Sequence, residues 1–283
     1  MSMPRITWGQ LPAETRQAVL ERTGSIYTIQ TVTSGQNSAI AVRLQTHTGG
    51  VFVKGVPLAH PQIRAQQREA DVNPYLPASS PRLLWHVQAG GWDLLGFELL
   101  RGVHADFRRG SVDLPKVVEA LNLLGTTVCA KPFLARVDER WANFTPPSAL
   151  PELRGIHLLH TDLAPRNILV DDDRAHLIDW AWPARGPAWV DPAIWIIHLI
   201  DAGHTPAEAE NWAAHVSVWH RGSRTAIDVF AHANAALWAE IAAHDSSEWK
   251  KRLADSARQW SEYRRHGGIE HHSAGQSPGD ADV

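Results

Sequence analysis

The fold of this chain is decided by one stretch, His160-Thr161-Asp162-Leu163-Ala164-Pro165-Arg166-Asn167, which an apolar run separates from Leu177-Ile178-Asp179-Trp180. Between the two, residues 168–170 are β-prone, residues 171–173 are aspartates typical of a turn, and residues 175–178 are again largely apolar. The pattern predicts a β-hairpin whose open end would bring Asn167 and Asp179 together. Pro165 disfavours helix at the residue before it, so the segment that precedes the hairpin is predicted to be a loop.

Asp162, Asn167 and Asp179 are side chains suited to phosphoryl transfer. Asp162 and Asn167 are five residues apart, and Asp179 follows twelve residues later. The reaction needs a carboxylate that orients and deprotonates a substrate hydroxyl, and oxygen ligands that hold Mg²⁺ against nucleotide phosphates. Asp162 is therefore predicted to be catalytic, and Asn167 and Asp179 to be metal ligands. The alternative is an ordinary hairpin, because aspartate and asparagine also occur at strand ends for turn reasons alone.

The composition is that of a globular protein without bulk attraction for polyanions. Of 283 residues, 44% are hydrophobic and 20% are charged, and the formal net charge is -3. Neither nucleic acid nor a membrane is therefore an expected partner. The single cysteine, Cys129, excludes an internal disulfide and favours a reducing, cytoplasmic location. We recognise no signal peptide in residues 1–24, and the apolar run 193–200 is too short to span a bilayer.

The N-terminal half is predicted to be β-rich, with five strands and helices at 11–22 and 61–76. Lys54 ends the third predicted strand and would direct its ammonium group toward the core, where an unpaired charge is costly. Glu69, fifteen residues later on the second helix, is its expected partner, and Lys54 would then contact nucleotide phosphates. The alternative is that Lys54 lies on an edge strand and Glu69 faces solvent.

Two further segments of this half are predicted to bind the nucleotide. Small polar residues occupy the turn between the first two strands, and the candidates there are Ser34, Gly35, Asn37 and Ser38. The turn is not a Gly-x-Gly-x-x-Gly motif, and the sequence contains no Gly-x-x-x-x-Gly-Lys-Ser/Thr motif, which argues against a P-loop enzyme. Backbone groups of Glu98 and Leu100, at the expected hinge between two lobes, are candidates for contacts with adenine.

On these residues the chain resembles the aminoglycoside phosphotransferase-like small-molecule kinases, which share the bilobal protein-kinase-like fold. The resemblance extends from about residue 27 through the helical region and rests on Lys54, Glu69, His160-Thr161-Asp162, Asn167, Ile178-Asp179-Trp180 and Val190-Asp191-Pro192. It implies the roles of base for Asp162, of magnesium ligand for Asn167 and Asp179, and of contact with the α- and β-phosphates for Lys54.

The resemblance also implies an α+β fold with three parts. Residues 1–100 would form a small, β-rich N-terminal lobe with one key helix, which binds the nucleotide. Residues 101–266 would form a larger, helical C-terminal lobe with the catalytic hairpin and the acceptor pocket. Residues 267–283, rich in Gly, Ser, Asp and Pro, are expected to be a disordered tail.

Two departures from protein kinases bear on the substrate. Many kinases have a lysine two residues after the catalytic aspartate, where this chain has Ala164. Arg166 could instead neutralise charge on the transferring phosphoryl group, the alternative being a surface arginine. Residues 179–191 are too few for a regulatory loop, which favours a small molecule over a protein as the acceptor.

The acceptor pocket is expected in the helical half, where nine of the 13 tryptophans fall between Trp180 and Trp260. Indoles stack on the faces of sugars and bases and bind apolar bodies. Trp182 and Trp189, near the metal site, and Asp191 are the candidates for acceptor contacts, whereas at least half of the tryptophans are expected in the core. Residues 191–265 contain ten acidic and eight basic residues, so a polycationic acceptor is not strongly indicated.

Together these features predict a phosphotransferase that uses Mg²⁺ and ATP, with GTP as the alternative nucleotide, to phosphorylate a hydroxyl of a small molecule. The expected acceptor is an antibiotic of the aminoglycoside, nucleoside or macrolide type, which phosphorylation would inactivate. One alternative is a metabolic kinase of the same fold, acting on choline, an amino sugar or homoserine. Another is a catalytically silent nucleotide-binding protein. The protein is expected to be a monomer or a homodimer.

Overall fold

A computed structural model describes residues 5–33, 38–129 and 131–267 of the chain. The N-terminal part is built on a five-stranded antiparallel sheet in the order β1-β2-β3-β5-β4. The strands are β1 (Ile26–Thr31), β2 (Ile40–Thr46), β3 (Gly49–Pro57), β4 (Leu83–Ala89) and β5 (Trp92–Glu98). Two α-helices accompany them, α1 (Ala13–Thr23) and α2 (Ile63–Val72), together with 3₁₀-helices at Trp8–Gln10 and Asn73–Tyr75.

The side chains of β3 alternate between the apolar core of the sheet and the opposite face, which carries Lys54. Val51 and Val53 are buried in an apolar cluster with Leu11 and with Val19 of α1. Because successive side chains of a strand point to opposite faces, Lys54 lies on the other face, where α2 packs. The strand thus places one buried lysine beneath the helix that carries its partner.

A buried carboxylate fixes α2 to the sheet. Asp93 of β5 is fully buried, and its carbonyl accepts a hydrogen bond from Gln66 Nε2 of α2 at 2.7 Å. The Asp93 carboxylate also accepts from Gln66, from His86 Nε2 at 2.8 Å and from Gln88 Nε2 at 2.7 Å. Since Gln66 lies one turn before Glu69, this network sets the position at which Glu69 faces β3.

The C-terminal part is mainly helical. Its helices are α3 (Leu114–Gly125), α4 (Val137–Arg140), α5 (Val190–Asp201), α6 (Pro206–Ala214), α7 (Arg224–His244) and α8 (Glu248–Arg265), with 3₁₀-helices at Ala142–Phe144, Pro147–Leu153, Pro165–Asn167 and Ser217–Arg221. Helix α5 is buried along almost its whole length and forms the centre of the core. Helices α7 and α8 pack against each other, and α5 packs against both.

Short strands in this part hold the loops of the site. They are β6 (Val103–His104), β7 (Ala135–Arg136), β8 (His157–Leu159), β9 (Ile168–Val170), β10 (Ala175–Leu177) and β11 (Ala184–Gly186). The predicted hairpin is confirmed as β9 and β10, with β6 paired to the other edge of β9. A second sheet, β7-β11-β8, lies between the helices. From residue 115 onward the sequence predicts helices that only the hairpin interrupts. That prediction is wrong, because strands of two or three residues have no recognisable periodicity in the sequence.

Several predicted boundaries shift. The sequence predicts a third strand at 51–54, and this strand extends over the whole of β3. The helix predicted at 61–76 ends at Val72 and a 3₁₀-helix follows, because Pro74 has no backbone N–H with which to continue the α-helical hydrogen bonds. The sequence also predicts one helix at 206–220, but α6 ends at Ala214 and a 3₁₀-helix follows at Ser217–Arg221. The division of the chain near residue 100 stays a prediction. Of the predicted tail, residues 268–283 lie outside the described residues. No helix in the described segments is long and apolar enough to cross a membrane.

A close backbone contact beside β11 predicts the effect of adding one methyl group at Gly155. A Cβ on Gly155 would overlap the backbone of Gly186 in β11 and of Pro187, which cannot move as a flexible side chain can. Gly155→Ala is therefore expected to lower the free energy of unfolding by about 2 kcal/mol, measured by urea denaturation. Gly9→Ala is the matched control, because nothing lies within 4 Å of the added atom. Equal stability of the two variants would contradict the packing described for β11.

Candidate active site

A cavity of about 830 Å³ lies between the two parts of the chain. On the N-terminal side it is bounded by β2, β3, β5 and α2, and on the C-terminal side by the loop and hairpin of residues 161–179 and by α5, α7 and α8. Asp162, Asn167 and Asp179 all line it, as do Lys54 and Glu69. Side chains far apart in sequence thus share one cavity, as the spacing predicts.

Lys54 joins the two parts. Its Nζ lies 2.5 Å from Glu69 Oε2 of α2 and 2.8 Å from Asp179 Oδ1, which follows the hairpin. Glu69 Oε1 in turn accepts a hydrogen bond from the backbone N–H of Trp180 at 3.3 Å. The expected Lys54–Glu69 pair is therefore present, and the same lysine also contacts a predicted metal ligand.

The charges of this cluster depend on one another. Burial by itself would lower the pKa of Lys54, but the carboxylates of Asp179 and Glu69 raise it above its ordinary value, so the ammonium stays charged. Burial likewise opposes the charge on Asp179, but Lys54 lowers the pKa of this carboxyl. Burial raises the pKa of Glu69 although Lys54 is close. A nucleotide phosphate that approached Lys54 would compete with these carboxylates for its protons.

Asp191, at the start of α5, supports the loop of residues 160–167. Its buried carboxylate accepts hydrogen bonds from the backbone N–H groups of His160, at 2.8 Å, and of Thr161, at 3.0 Å. Burial raises the pKa of Asp191, and the two backbone donors oppose that shift. The ring of His160 donates from Nε2 to the carbonyl of Ile178 at 2.9 Å, which ties the loop to the segment before Asp179.

Two residues of the site have a left-handed backbone conformation, which residues other than glycine rarely adopt. Thr161 has φ of 62° and Asp179 has φ of 63°. This conformation is costly for a β-branched residue, and the surroundings must hold it. For Thr161 they do so through its Oγ1, which donates to the carbonyl of Trp182 at 2.6 Å and accepts from Arg140 Nη1 at 2.6 Å. The strain lies next to Asp162, where it orients the predicted base.

Asn167 and Asp179 could hold Mg²⁺. Asn167 Nδ2 donates to the carbonyl of Asp162 at 3.0 Å, which leaves the amide oxygen available as a ligand. The backbone N–H of Ile178 donates to the carbonyl of Asn167 at 2.9 Å and keeps the two ends of the hairpin together. One amide oxygen and one carboxylate suit Mg²⁺, which takes few protein ligands and completes its shell with water and phosphate. Accordingly, the described residues contain no group of three or more His, Cys, Asp or Glu side chains that could hold a metal alone.

The remaining predicted nucleotide contacts are placed as follows. Ser38, Glu98 and Leu100 line the cavity. Ser34, Gly35 and Asn37 lie outside the described residues. The roles of all six residues stay predictions.

Of the three residues predicted to contact the acceptor, one lines the cavity and two do not. Trp182 lines the cavity and is 45% exposed. Trp189, in contrast, is buried with its edge against Phe230, at 5.7 Å between ring centroids, so its predicted role as a pocket wall is corrected to packing of the core. Asp191 is corrected from acceptor contact to support of the loop, because its buried carboxylate binds backbone N–H groups and is not part of the cavity wall.

Arg166 lies beside the predicted base. Its Nη2 is 3.5 Å from Asp162 Oδ2, and its guanidinium lies 5.4 Å from the ring centroid of Trp249. The side chain lines the cavity, so a role toward the phosphoryl group stays a prediction with suitable geometry.

Sequence reasoning missed the residues that form the deep end of the cavity. Asn234, Leu237, Trp238 and Ile241 of α7 line it at a spacing of three and four residues, which is the spacing of one helical face. That period is readable in the sequence, but it does not distinguish a cavity wall from a core contact. Arg140 also lines the cavity, but no sequence motif around it indicates a functional residue. Only the fold brings it to Thr161.

Comparison with solved structures identifies the fold. The chain superimposes on the crystal structure of aminoglycoside phosphotransferase APH(4)-Ia with a TM-score of 0.54 and 15% identity, covering 86% of this chain and 97% of that one. For a putative fructosamine-3-kinase from Haemophilus somnus 129PT the TM-score is 0.60 at 13% identity, over 87% and 96% of the two chains. For LicA in complex with AMP it is 0.58 at 12% identity, over 88% and 97%.

These likenesses concern the fold. No family model and no curated protein sequence matches the chain. The bilobal protein-kinase-like fold, shared with small-molecule kinases, is therefore confirmed, whereas the acceptor is left open at these identities.

Loss of the central cation should destabilise the protein. Lys54→Met would leave Glu69 and Asp179 facing each other without a compensating charge. We expect the free energy of unfolding at pH 7 to fall by about 3 kcal/mol, measured by urea denaturation. Lys251→Met, which removes a surface lysine paired with Glu248, is the control and should change stability by less than about 0.5 kcal/mol. Adding Glu69→Gln to Lys54→Met should restore part of the loss; no recovery would contradict the charge coupling.

A buried histidine of the cavity wall should make stability depend on pH. Burial lowers the pKa of His198 on α5 to about 4, against an ordinary value of 6.5. The unfolded chain therefore binds this proton first, and stability should fall as the pH is lowered from about 6.5 to about 4, by on the order of 3 kcal/mol. Unfolding free energies of wild type and His198→Gln, measured across this range, should diverge in slope. If stability depended on pH in the same way in both proteins, His198 would have the same pKa in the folded and unfolded states, which would contradict the prediction.

Proposed function

We propose that this protein is an ATP- and Mg²⁺-dependent phosphotransferase that phosphorylates a hydroxyl group of a small molecule. One observation carries the proposal. Lys54, bridged to Glu69 and Asp179, lies in the same cavity as Asp162 and Asn167. This set provides phosphate binding, metal binding and a base, which are the parts that phosphoryl transfer requires.

The nucleotide is assigned to the end of the cavity between the sheet and the hairpin. Apolar side chains from both parts of the chain, Val32, Ala41, Leu169 and Ile178, line this end and would enclose a flat base. Residues 98–100 lie in the same wall, where backbone groups can bind the edge of the base. Solved structures of this fold carry ADP with hygromycin B, AMP-PNP with hygromycin B, or AMP, which supports an adenine nucleotide. GTP is the alternative.

The residues suggest the following division of labour. Lys54 binds the nucleotide phosphates, and Asn167 and Asp179 hold Mg²⁺, which neutralises charge on those phosphates when it is bound. Asp162 accepts a hydrogen bond from the acceptor hydroxyl and orients its oxygen toward the γ-phosphorus. As the new O–P bond forms, the bond to the leaving ADP oxygen breaks, and the hydroxyl proton passes to Asp162. Arg166, beside Asp162, neutralises charge on the phosphoryl group.

The acceptor is a small molecule. A cavity of about 830 Å³ holds a nucleotide and a compound of moderate size, not a folded polypeptide. An antibiotic, inactivated by phosphorylation in the cytoplasm, is the acceptor that we propose. A metabolic hydroxyl compound is the second candidate, and it is favoured by the likeness to a putative fructosamine-3-kinase at a TM-score of 0.60.

The proposal predicts that Asp162 acts in the chemical step. Asp162→Asn keeps size and polarity but removes the base, so turnover should fall by about 10²- to 10⁴-fold, whereas the affinity for ATP should change little. A coupled assay of ADP release with an acceptor panel measures the first quantity, and nucleotide titration measures the second. Asp173→Asn, on the exposed hairpin turn, is the control and should leave both unchanged.

The same experiment separates the enzyme from a silent nucleotide-binding protein. A silent protein would bind ATP in both variants and release ADP in neither. Near-normal turnover of Asp162→Asn would instead contradict the assignment of the base.

A further inference from the structure

The deep end of the cavity, beyond Asp162, has a distinctive chemistry. It is formed by one face of α7, by Ile194 and His198 of α5, and by Trp249, Lys250 and Leu253 of α8. Apolar and aromatic side chains dominate this wall. An acceptor that filled it would therefore need an apolar body.

The acidic side chains of the cavity wall lie mainly outside its deep end. Four acidic residues line the whole cavity within the described part of the chain: Glu69, Glu98, Asp162 and Asp179. Glu69 and Asp179 face Lys54, and Glu98 accepts from the backbone N–H of Arg82 at the sheet. Only Asp162 faces the deep end. An acceptor with several ammonium groups would find no carboxylate there besides that of Asp162 to compensate them.

Arg140 has no carboxylate partner. Among the described residues, its guanidinium forms no ion pair within 4 Å and donates only to Thr161 Oγ1 and to the carbonyls of Trp182 and Pro183. Burial and the nearby charge of Arg68 lower the pKa of Arg140 to about 10, although the Asp191 carboxylate, which binds backbone N–H groups, opposes this shift. A largely desolvated guanidinium that lines a cavity and has no carboxylate within 4 Å is suited to bind an anion, because its planar donors match a carboxylate or phosphate.

Two tryptophan rings of the site, Trp182 and Trp249, already carry the protein's own cations. The guanidinium of Arg68 lies 5.1 Å from the ring centroid of Trp182. Arg166 and Lys250 lie 5.4 and 5.3 Å from the ring centroid of Trp249. A quaternary ammonium compound would have to displace these cations to use the rings as a cage, so cation–π recognition of the acceptor is disfavoured.

Two buried donors in the wall agree with this polarity. Trp141 Nε1 and Asn234 Nδ2 have no hydrogen-bond partner among the residues that the structure describes, and both residues line the cavity. Unpaired buried donors are costly, and oxygen atoms of a bound molecule would satisfy them after a small rotation of either side chain.

We propose that the acceptor is an apolar-bodied alcohol that carries an anionic oxygen group, a carboxylate or a phosphate, which Arg140 binds beside Asp162. This inference rests on the proposed function for the identity of the pocket as the acceptor site. It excludes polycations and quaternary ammonium compounds from that pocket.

Binding without turnover tests the inference separately from the enzymatic activity. Three naphthyl alcohols that differ only in one terminal group, a carboxylate, a primary amide or a trimethylammonium, are titrated into Asp162→Asn with AMP-PNP and Mg²⁺. Quenching of tryptophan fluorescence reports binding, because Trp182, Trp238 and Trp249 line the pocket. The carboxylate should bind about tenfold more tightly than the amide, and the trimethylammonium probe more weakly than both. A phosphate ester of the same alcohol distinguishes the two anions.

Arg140 variants assign the preference to one side chain. Arg140→Gln should abolish the tenfold advantage of the carboxylate. Arg140→Lys keeps the positive charge and should retain part of this advantage, and it provides the test if Arg140→Gln does not fold. Arg258→Gln, an exposed arginine of α8 paired with Asp255 and Glu262, is the control and should leave the order unchanged.

The outcomes separate the two proposals. If the carboxylate probe binds no more tightly than the amide, or the trimethylammonium probe binds best, the inference is overturned, whether or not the protein is a kinase. If the order holds and Arg140 sets it, but wild type phosphorylates none of the bound alcohols, the charge preference stands and the proposed function fails.

Discussion

The structure depends on one buried ammonium group. Lys54 is 8% exposed and lies between the carboxylates of Glu69 and Asp179, which come from the two parts of the chain. None of the three charges is tolerable alone in that position, and together they hold α2, β3 and the end of the hairpin in one arrangement. The polar network of Asp93 and Gln66 also holds α2 against the sheet. Stability and the capacity to bind phosphate thus reside in the same three side chains.

The second constraint is the shape of the loop that carries Asp162. Asp191 binds two backbone N–H groups of the loop, and Thr161 is held at a positive φ by Trp182 and Arg140. None of these groups performs chemistry. They hold the loop that directs Asp162 into the cavity. Arg140 also lines that cavity, so the residue that supports the loop is the one to which we assign recognition of the acceptor.

The sequence predicts the features that obey local rules. Asn167 and Asp179 flank a hairpin whose turn and apolar runs are short-range signals. Lys54 is recognisable as a charge at the end of an apolar strand, and Glu69 as a carboxylate on the helix that follows. It does not predict features set by tertiary packing. Trp182 and Trp189 look alike in the sequence, yet one is 45% exposed and the other lies in the core against Phe230. The polarity of the acceptor pocket was equally hidden, because residues 191–265 are nearly neutral overall and only the fold shows that their acidic side chains lie outside the cavity.

Mass spectrometry of the acceptor tests whether the cavity transfers a phosphoryl group to a small alcohol. Purified protein, ATP and Mg²⁺ are incubated with a pool of hydroxylated compounds, antibiotics among them, and each compound is examined for a product heavier by one HPO₃ unit. We expect such a product for an apolar compound that bears an anionic group, formed in step with ADP. Release of inorganic phosphate without any phosphorylated compound, across a pool that includes bound alcohols, would show that the cavity does not transfer the phosphoryl group to an alcohol.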